Sequence, residues 1–430
     1  MLSRCLVSTL SLLALIDVAC GGSSSPAGTG GNGGKAGGSG GAAGGGNGGA
    51  SAAAPILSSL HTIATIGSTV DPNNNTTIDP TGSSTNPYGL VIAPATAGLI
   101  TAGDLVVCNF NNGPNTVAGS PAPNTQGQGT TVVGLHPVAS VADAAVTNPY
   151  HIAQSASLLG CSSLSMFPDS SFAGTAFSAG MVPVVAPGGT VSSPFAADTL
   201  AKPWGSAYVA AANGQPAALY VSDATGSINR ITLSSSNAQT AFAKVVTGFC
   251  VSGSVAGMTD SLHAPSGLTY DAKKDTLYVV DTSSYSVVAL AAVSSIPANG
   301  ITVTGGDCTA GPPTATPTFT GPSASSASVI AGPNSPNGGQ QLNAPISAAL
   351  LLNDNVVVGN ADQDLMANDA GTNENLLFEI SPTAGIVGTK QLDPGSPGAL
   401  FGIAAGPDSH GNQLIYFNDD NDNTVKVLSK

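Results

Sequence analysis

Apolar residues along this chain fall in short runs bounded by Gly, Asn, Asp and Ser, the signature of β-strands joined by tight turns. One phrase recurs. A Pro is followed by a small or aromatic residue and an apolar stretch, then a polar turn, then a second apolar strand ending in Asp or Asn. The clearest copy is Ala264-Pro265-Ser266-Gly267-Leu268-Thr269-Tyr270-Asp271, followed by Asp275-Thr276-Leu277-Tyr278-Val279-Val280-Asp281 and Ser286-Val287-Val288-Ala289-Leu290. Others are Pro203-Trp204-Gly205 with Leu219-Tyr220-Val221-Ser222-Asp223, and Pro87-Tyr88-Gly89 with Leu105-Val106-Val107-Cys108-Asn109. Pro345-Ile346 goes with Val356-Val357-Val358-Gly359-Asn360, and Pro397-Gly398 with Leu414-Ile415-Tyr416-Phe417-Asn418-Asp419.

The interval between Pro87 and Pro203 is double, and Asn148-Pro149-Tyr150-His151-Ile152 within it echoes Asn86-Pro87-Tyr88-Gly89-Leu90. Counting it gives six phases spaced about 62 residues apart, each long enough for three or four short strands. Such units cannot bury both faces alone, so they are expected to pack radially as the blades of an all-β, six-bladed β-propeller. The residues after Pro397 accommodate three strands and hardly a fourth. The apolar segment Ile56 to Ile66 is expected to supply the missing one and close the ring, which removes an exposed edge. The long interval before Pro345 contains Pro312 to Gly339, a Pro/Ser/Gly-rich insertion expected to be a surface loop.

The pattern Pro-x-Gly-Leu-x-Tyr-Asp, Leu-Tyr-Val-Val-Asp, Val-Val-x-Leu resembles NHL-type propeller repeats, most strongly in the copies at 203 and 265. That resemblance implies the six-bladed fold and leaves activity open, because NHL motifs identify a fold better than a function. Six-bladed relatives include calcium-dependent lactonases and lyases, the former holding their ion in the central channel with Glu, Asn and Asp from different blades. Here Glu374 and Glu379 are the only glutamates and both lie late in the chain, so the Glu expected near the first blade has no match.

The N-terminus departs from the repeat. Residues 1–20 carry one cation, an apolar run from Cys5 to Ile16 and small residues at Ala19-Cys20, which together read as a secretory signal too short to span a bilayer. Ala19-Cys20-Gly21-Gly22-Ser23 resembles a bacterial lipobox, so Cys20 is the expected lipidation site; ordinary cleavage and secretion is the alternative. Residues 21–54 are a Gly-rich tract expected to be a disordered spacer, leaving 55–430 as a single propeller domain. The expected location is the cell envelope of a bacterium or its exterior. GxGxxG and GxSxG matches inside the Gly tract lack the strand and helix that give those motifs their chemistry.

Composition sharpens this reading. The 430 residues include 55 Gly and 30 Pro, and only 8% are charged, which excludes helical bundles and coiled coils. A net charge of −14 with no basic stripe excludes nucleic acid and anionic lipid as electrostatic partners, so membrane contact is expected only through the lipid anchor. Beyond Cys5 and Cys20, four cysteines remain: Cys108, Cys161, Cys250 and Cys308. Their even number and lack of CxxC spacing favour disulfides over zinc, and pairs one repeat apart would be Cys108–Cys161 and Cys250–Cys308.

No catalytic set, cofactor or metal site stands out. Asp223, Asp281, Asn109, Asn360 and Asp419 recur at equivalent places, which points to turn structure rather than catalysis, and the acidic run Asn418 to Asn423 falls in one such turn. His151 and His263, each at the start of a copy, would gain a catalytic or metal role only if a carboxylate converged on them. The residues after the first three prolines are Tyr88, Tyr150 and Trp204, a possible aromatic platform for a sugar or another flat apolar face, with blade-to-blade packing as the alternative. The expectation is a monomeric binding or scaffold module for a protein or carbohydrate; the alternative is a metal-dependent hydrolase or lyase acting in the channel.

Overall fold

A computed structural model describes residues 54–72, 84–112, 127–137, 149–195, 200–251, 264–306, 314–333, 342–360, 375–393 and 400–430. The signal segment with Cys20, the Gly tract as far as residue 53, Pro397, His263, Glu374 and Cys308 lie outside them.

The strands form six sheets. Their innermost strands are Ser84–Ile92, Cys161–Met166, Pro203–Val209, Pro265–Asp271, Pro345–Leu350 and Ile403–Pro407, heading blades 1 to 6. Each touches the innermost strands of the blades before and after it, and blade 6 returns to blade 1. The chain is therefore an all-β, six-bladed propeller. Its core is divided among apolar layers between neighbouring blades, such as Tyr220, Leu277 and Val288 between blades 3 and 4.

The ring closes as the sequence suggests. Thr62–Ser68 pairs antiparallel with Thr424–Ser429, so blade 6 takes three strands from the end of the chain and its outermost from the beginning. Just before that strand, Glu379 on blade 5 anchors the incoming chain. Its fully buried carboxylate accepts from the backbone N–H of Ile56 (2.8 Å) and Leu57 (2.7 Å) and from the side chains of Asn353 (2.8 Å) and Asn355 (2.7 Å).

The register explains the repeated residues. Pro87 faces Asn109, Pro203 faces Asp223, Pro265 faces Asp281 and Pro345 faces Asn360. Each of these strand-ending Asp and Asn residues is buried. Asp223, Asp281 and Asp419 accept from the backbone N–H two residues on, at 2.9, 3.2 and 3.1 Å, so their carboxylates cap the turn into the next strand.

Three expectations are corrected. Pro149-Tyr150 does not start blade 2: Tyr150–Gln154 is the outermost strand of blade 1, and blade 2 begins at Cys161. The motif was misleading because Pro is also tolerated at the start of an outer strand. Blade 2 has Cys161 where blades 1, 3, 4 and 5 have Pro, Ala176 where they have Asp or Asn, and outer strands of two residues each (Val184–Val185 and Val191–Ser192). In blade 6, Leu400-Phe401-Gly402 leads into the innermost strand, in the place expected of the Pro397 motif. The insertion from Pro312 to Gly339 is more than a loop. It contributes Pro317–Thr320, which joins Ile301–Gly305 in extending blade 3 to six strands, and Ala327–Ala331, which completes blade 4.

Successive blades are fastened at one recurring place on the second strand. Thr175 Oγ1 donates to the Trp204 carbonyl (2.6 Å), Ser222 Oγ to the Ser266 carbonyl (2.8 Å) and Asn418 Nδ2 to the Tyr88 carbonyl (3.1 Å), each on the next blade. Thr282 Oγ1 does the same from blade 4 to the Pro345 carbonyl (2.7 Å). In blade 1 the corresponding residue is Cys108, and it is disulfide-bonded to Cys161 of blade 2. Gly205 and Gly402 are required where these carbonyls approach, because a Cβ would lie 1.9 Å from the Ser266 oxygen and 2.2 Å from the Tyr88 oxygen. Cys250 is also disulfide-bonded.

Candidate functional site: an uncharged central channel

The six innermost strands surround a cavity of about 400 Å³ along the propeller axis. Each pairs on one side only, so its free backbone edge faces this space. Near the strand starts the cavity ends on an aromatic cluster. Tyr88 stacks between Phe401 (3.8 Å) and Phe110 (4.3 Å), and Trp204 meets Phe110 and Phe177 edge-on at 5.5 and 5.2 Å. Lys202 stands 5.0 Å above Phe177. Tyr88 and Trp204 are each 6% exposed, so the cluster is packed as a core and shows the cavity only a narrow face.

The walls carry hydroxyls and aliphatic groups. Ser165 Oγ donates to Ser206 Oγ (2.8 Å), with Ser163 Oγ at 3.3 Å from the same oxygen; Thr269 and Tyr208 lie further along. No Asp, Glu, His, Lys or Arg is among the described residues lining the cavity. Burial and then Asp275, which accepts its hydroxyl at 3.1 Å, push the Tyr270 phenol up to about 12; burial also raises Tyr208. Neither phenol gives or takes a proton near neutrality. The wall can recognise a neutral molecule through hydroxyls, backbone edges and aromatic carbon.

Of the three aromatics singled out in the sequence, Tyr88 and Trp204 come together, with ring centroids 6.0 Å apart. Tyr150 lies elsewhere, on the outermost strand of blade 1. Phe110, Phe177 and Phe401 complete the cluster, and one of them was readable: Phe401-Gly402 repeats the Tyr88-Gly89 and Trp204-Gly205 dipeptides.

Carboxylates do converge on two histidines, both outside the channel. Asp71 Oδ2 lies 2.7 Å from Nδ1 of His151. The buried Asp104 accepts from Tyr150 (2.6 Å) and from the Thr101 N–H (2.7 Å), and its Oδ1 lies 2.5 Å from Nδ1 of His136. The His136 side chain is otherwise exposed. Burial, followed by the bond to and charge of Asp104, holds the Tyr150 phenol far above its usual range. The acidic turn after Asn418 is occupied by its own side chains: Lys426 pairs with Asp419 and with Asp422 (2.9 Å), and Asp420 accepts from Asn86 of blade 1 (2.9 Å). Among the described residues, no three His, Cys, Asp or Glu side chains are placed to hold a metal ion.

Fold and site together define a six-bladed β-propeller whose central channel is lined, among the described residues, by uncharged side chains. Solved propellers with related architecture include virginiamycin B lyase from Staphylococcus aureus (12% identity, 81% of this chain and 97% of that one, TM-score 0.41). A chain of a nidogen–laminin complex (13%, 80% and 96%, TM-score 0.45) and a putative gluconolactonase (11%, 88% and 96%, TM-score 0.45) are similar to a like degree. No protein-family model and no curated protein sequence matches this chain.

Proposed function

We propose that this chain is an NHL-like propeller, lipid-anchored outside the cytoplasm through Cys20, that binds a ligand and does no chemistry on it. The lining of the channel carries this reading. A hydrolase or lyase working there would need a group that exchanges protons near neutrality, or side chains able to hold a metal. The described wall offers hydroxyls, high-pKa phenols and backbone. The Cys108–Cys161 disulfide supports the extracytoplasmic address, since such bonds persist in oxidising compartments. The Gly tract after Cys20 would hold the propeller off the membrane as a flexible spacer.

Two measurements test the proposal. Radiolabelled palmitate should mark the protein in growing bacteria, and Cys20→Ala should abolish the label. Purified protein dialysed against a chelator should show no metal-dependent turnover of a panel of lactones. A stoichiometric ion with chelator-sensitive turnover would overturn the binding reading in favour of a lactonase-like enzyme.

A further inference from the structure

The channel also constrains what it can take. The six innermost strands turn the edge that no neighbouring strand pairs toward one volume of about 400 Å³, within the roughly 300–1,000 Å³ of small-molecule pockets, although the carbonyls of Tyr88, Trp204 and Ser266 are already taken by the seams between blades. A charged ligand would leave water for a lining whose described residues carry no counter-charge, at a desolvation cost that hydroxyls alone do not repay. A wholly apolar ligand would strip water from the strand edges and return no hydrogen bonds. The floor, in contrast, is aromatic, formed by Tyr88, Trp204 and Phe401.

One ligand chemistry meets all three conditions: a ring with an apolar C–H face and uncharged hydroxyls around its rim. We propose that the channel binds a neutral sugar ring, its C–H face toward the Trp204 end and its hydroxyls toward the strand edges, Ser163 and Thr269. This rests on the binding reading above and narrows it to a ligand class. The aromatic cluster packs across one end, so the ring enters from the other, past Tyr208. Either a free sugar or the terminal residue of a glycan presents this chemistry.

Trp204 is the only tryptophan in the chain, so its emission reports the floor of the channel directly. The full chain, in a zwitterionic detergent without a sugar headgroup, is titrated with glucose, galactose and N-acetylglucosamine. Glucuronate, galacturonate and glucosamine serve as the charged counterparts. A saturable change in emission is expected with at least one neutral sugar, about tenfold weaker with its charged counterpart. Tighter binding of the matching oligosaccharide assigns the glycan end, and weaker binding assigns the free sugar. Ala348→Asp, which places a carboxylate in the channel wall, should lower affinity about tenfold or more. If that variant does not fold, Tyr208→Phe removes only a hydroxyl at the mouth and should weaken binding severalfold.

Absence of any saturable signal, by emission or by calorimetry, with every neutral sugar overturns the proposal. So does equal binding of the charged counterparts. Either result, with no metal-dependent turnover, removes the sugar and leaves the binding reading standing; chelator-sensitive turnover removes both.

Discussion

Blades 1 and 2 are joined differently from blades 2 and 3, although the two seams are built at the same register position. Between blades 2 and 3, Thr175 and Ser162 both donate to the Trp204 carbonyl, at 2.6 and 2.9 Å. Between blades 1 and 2 a covalent bond, Cys108–Cys161, takes that place. The difference follows from what blade 2 lacks. It has neither the Pro nor the strand-ending Asp of the regular copies, and its outer strands are only two residues long. A blade with few ladder hydrogen bonds of its own is fixed by a cross-link to its neighbour. At four other seams a buried hydroxyl or amide of one blade donates to a backbone carbonyl of the next.

The most severe test of this contrast is to cut the covalent seam. Cys108→Ala with Cys161→Ala should lower unfolding stability by about 4 kcal/mol, as expected for a disulfide enclosing a loop of this length. Urea unfolding of this variant and of the wild type, both without reductant so that the disulfide at Cys250 stays intact, should show the loss, and an unchanged midpoint would mean that hydrogen bonds alone hold blade 2.

The regular side of the comparison is tested through Asp281, fully buried at the end of the second strand of blade 4. Burial pushes its carboxyl up to about 6 from 3.8, against opposing hydrogen bonds from Ser284 and Ser283. The folded state therefore binds this proton more tightly than the unfolded state. Its contribution is full below pH 4 and is lost as pH rises through 6, about 3 kcal/mol in all. Asp281→Asn should remove that part of the stability–pH slope, measured by urea unfolding from pH 4 to 7.

Thr175→Val leaves the Trp204 carbonyl with Ser162 alone and should cost about 1–2 kcal/mol. Ser222→Ala, at the next seam, should cost about 1 kcal/mol through loss of the bond to Ser266. A loss at Thr175 as large as that at the disulfide would erase the distinction between the two kinds of seam. Away from the seams, Tyr150→Phe removes one of the donors to Asp104 and leaves Thr101 in place, and should cost about 1–2 kcal/mol by thermal melting.

The architecture was legible in sequence wherever a blade carried its own signals. Leu277-Tyr278-Val279-Val280-Asp281 records in one line a buried strand, its register against Pro265 and the cap of the following turn. Blade 2 was illegible as a repeat because it lacks the Pro and the strand-ending Asp, although the Cys108–Cys161 pair that restrains it was read from the spacing of the cysteines. Ala327–Ala331 was hidden by the Pro- and Ser-rich composition around it, although its apolar run completes blade 4. Half of the channel floor was readable from Tyr88 and Trp204. Phe110 sits on a second strand and Phe177 in the turn just after one, both outside the motif, and only the fold brings them to the same ring cluster. The Asp104–His136–Tyr150 group left no trace, since its members come from three separate turns and strand ends.

The closing strand of blade 6 has a consequence for how this protein is made. Thr62 bonds to a carbonyl 368 residues later, so the ring cannot shut until almost the last residue is available. A chain that emerges N-terminus first must keep Thr62–Ser68 unpaired, a bare β-edge, throughout synthesis and any export. The ring can then be completed only once Thr424–Ser429 has been made, whatever else has folded before it.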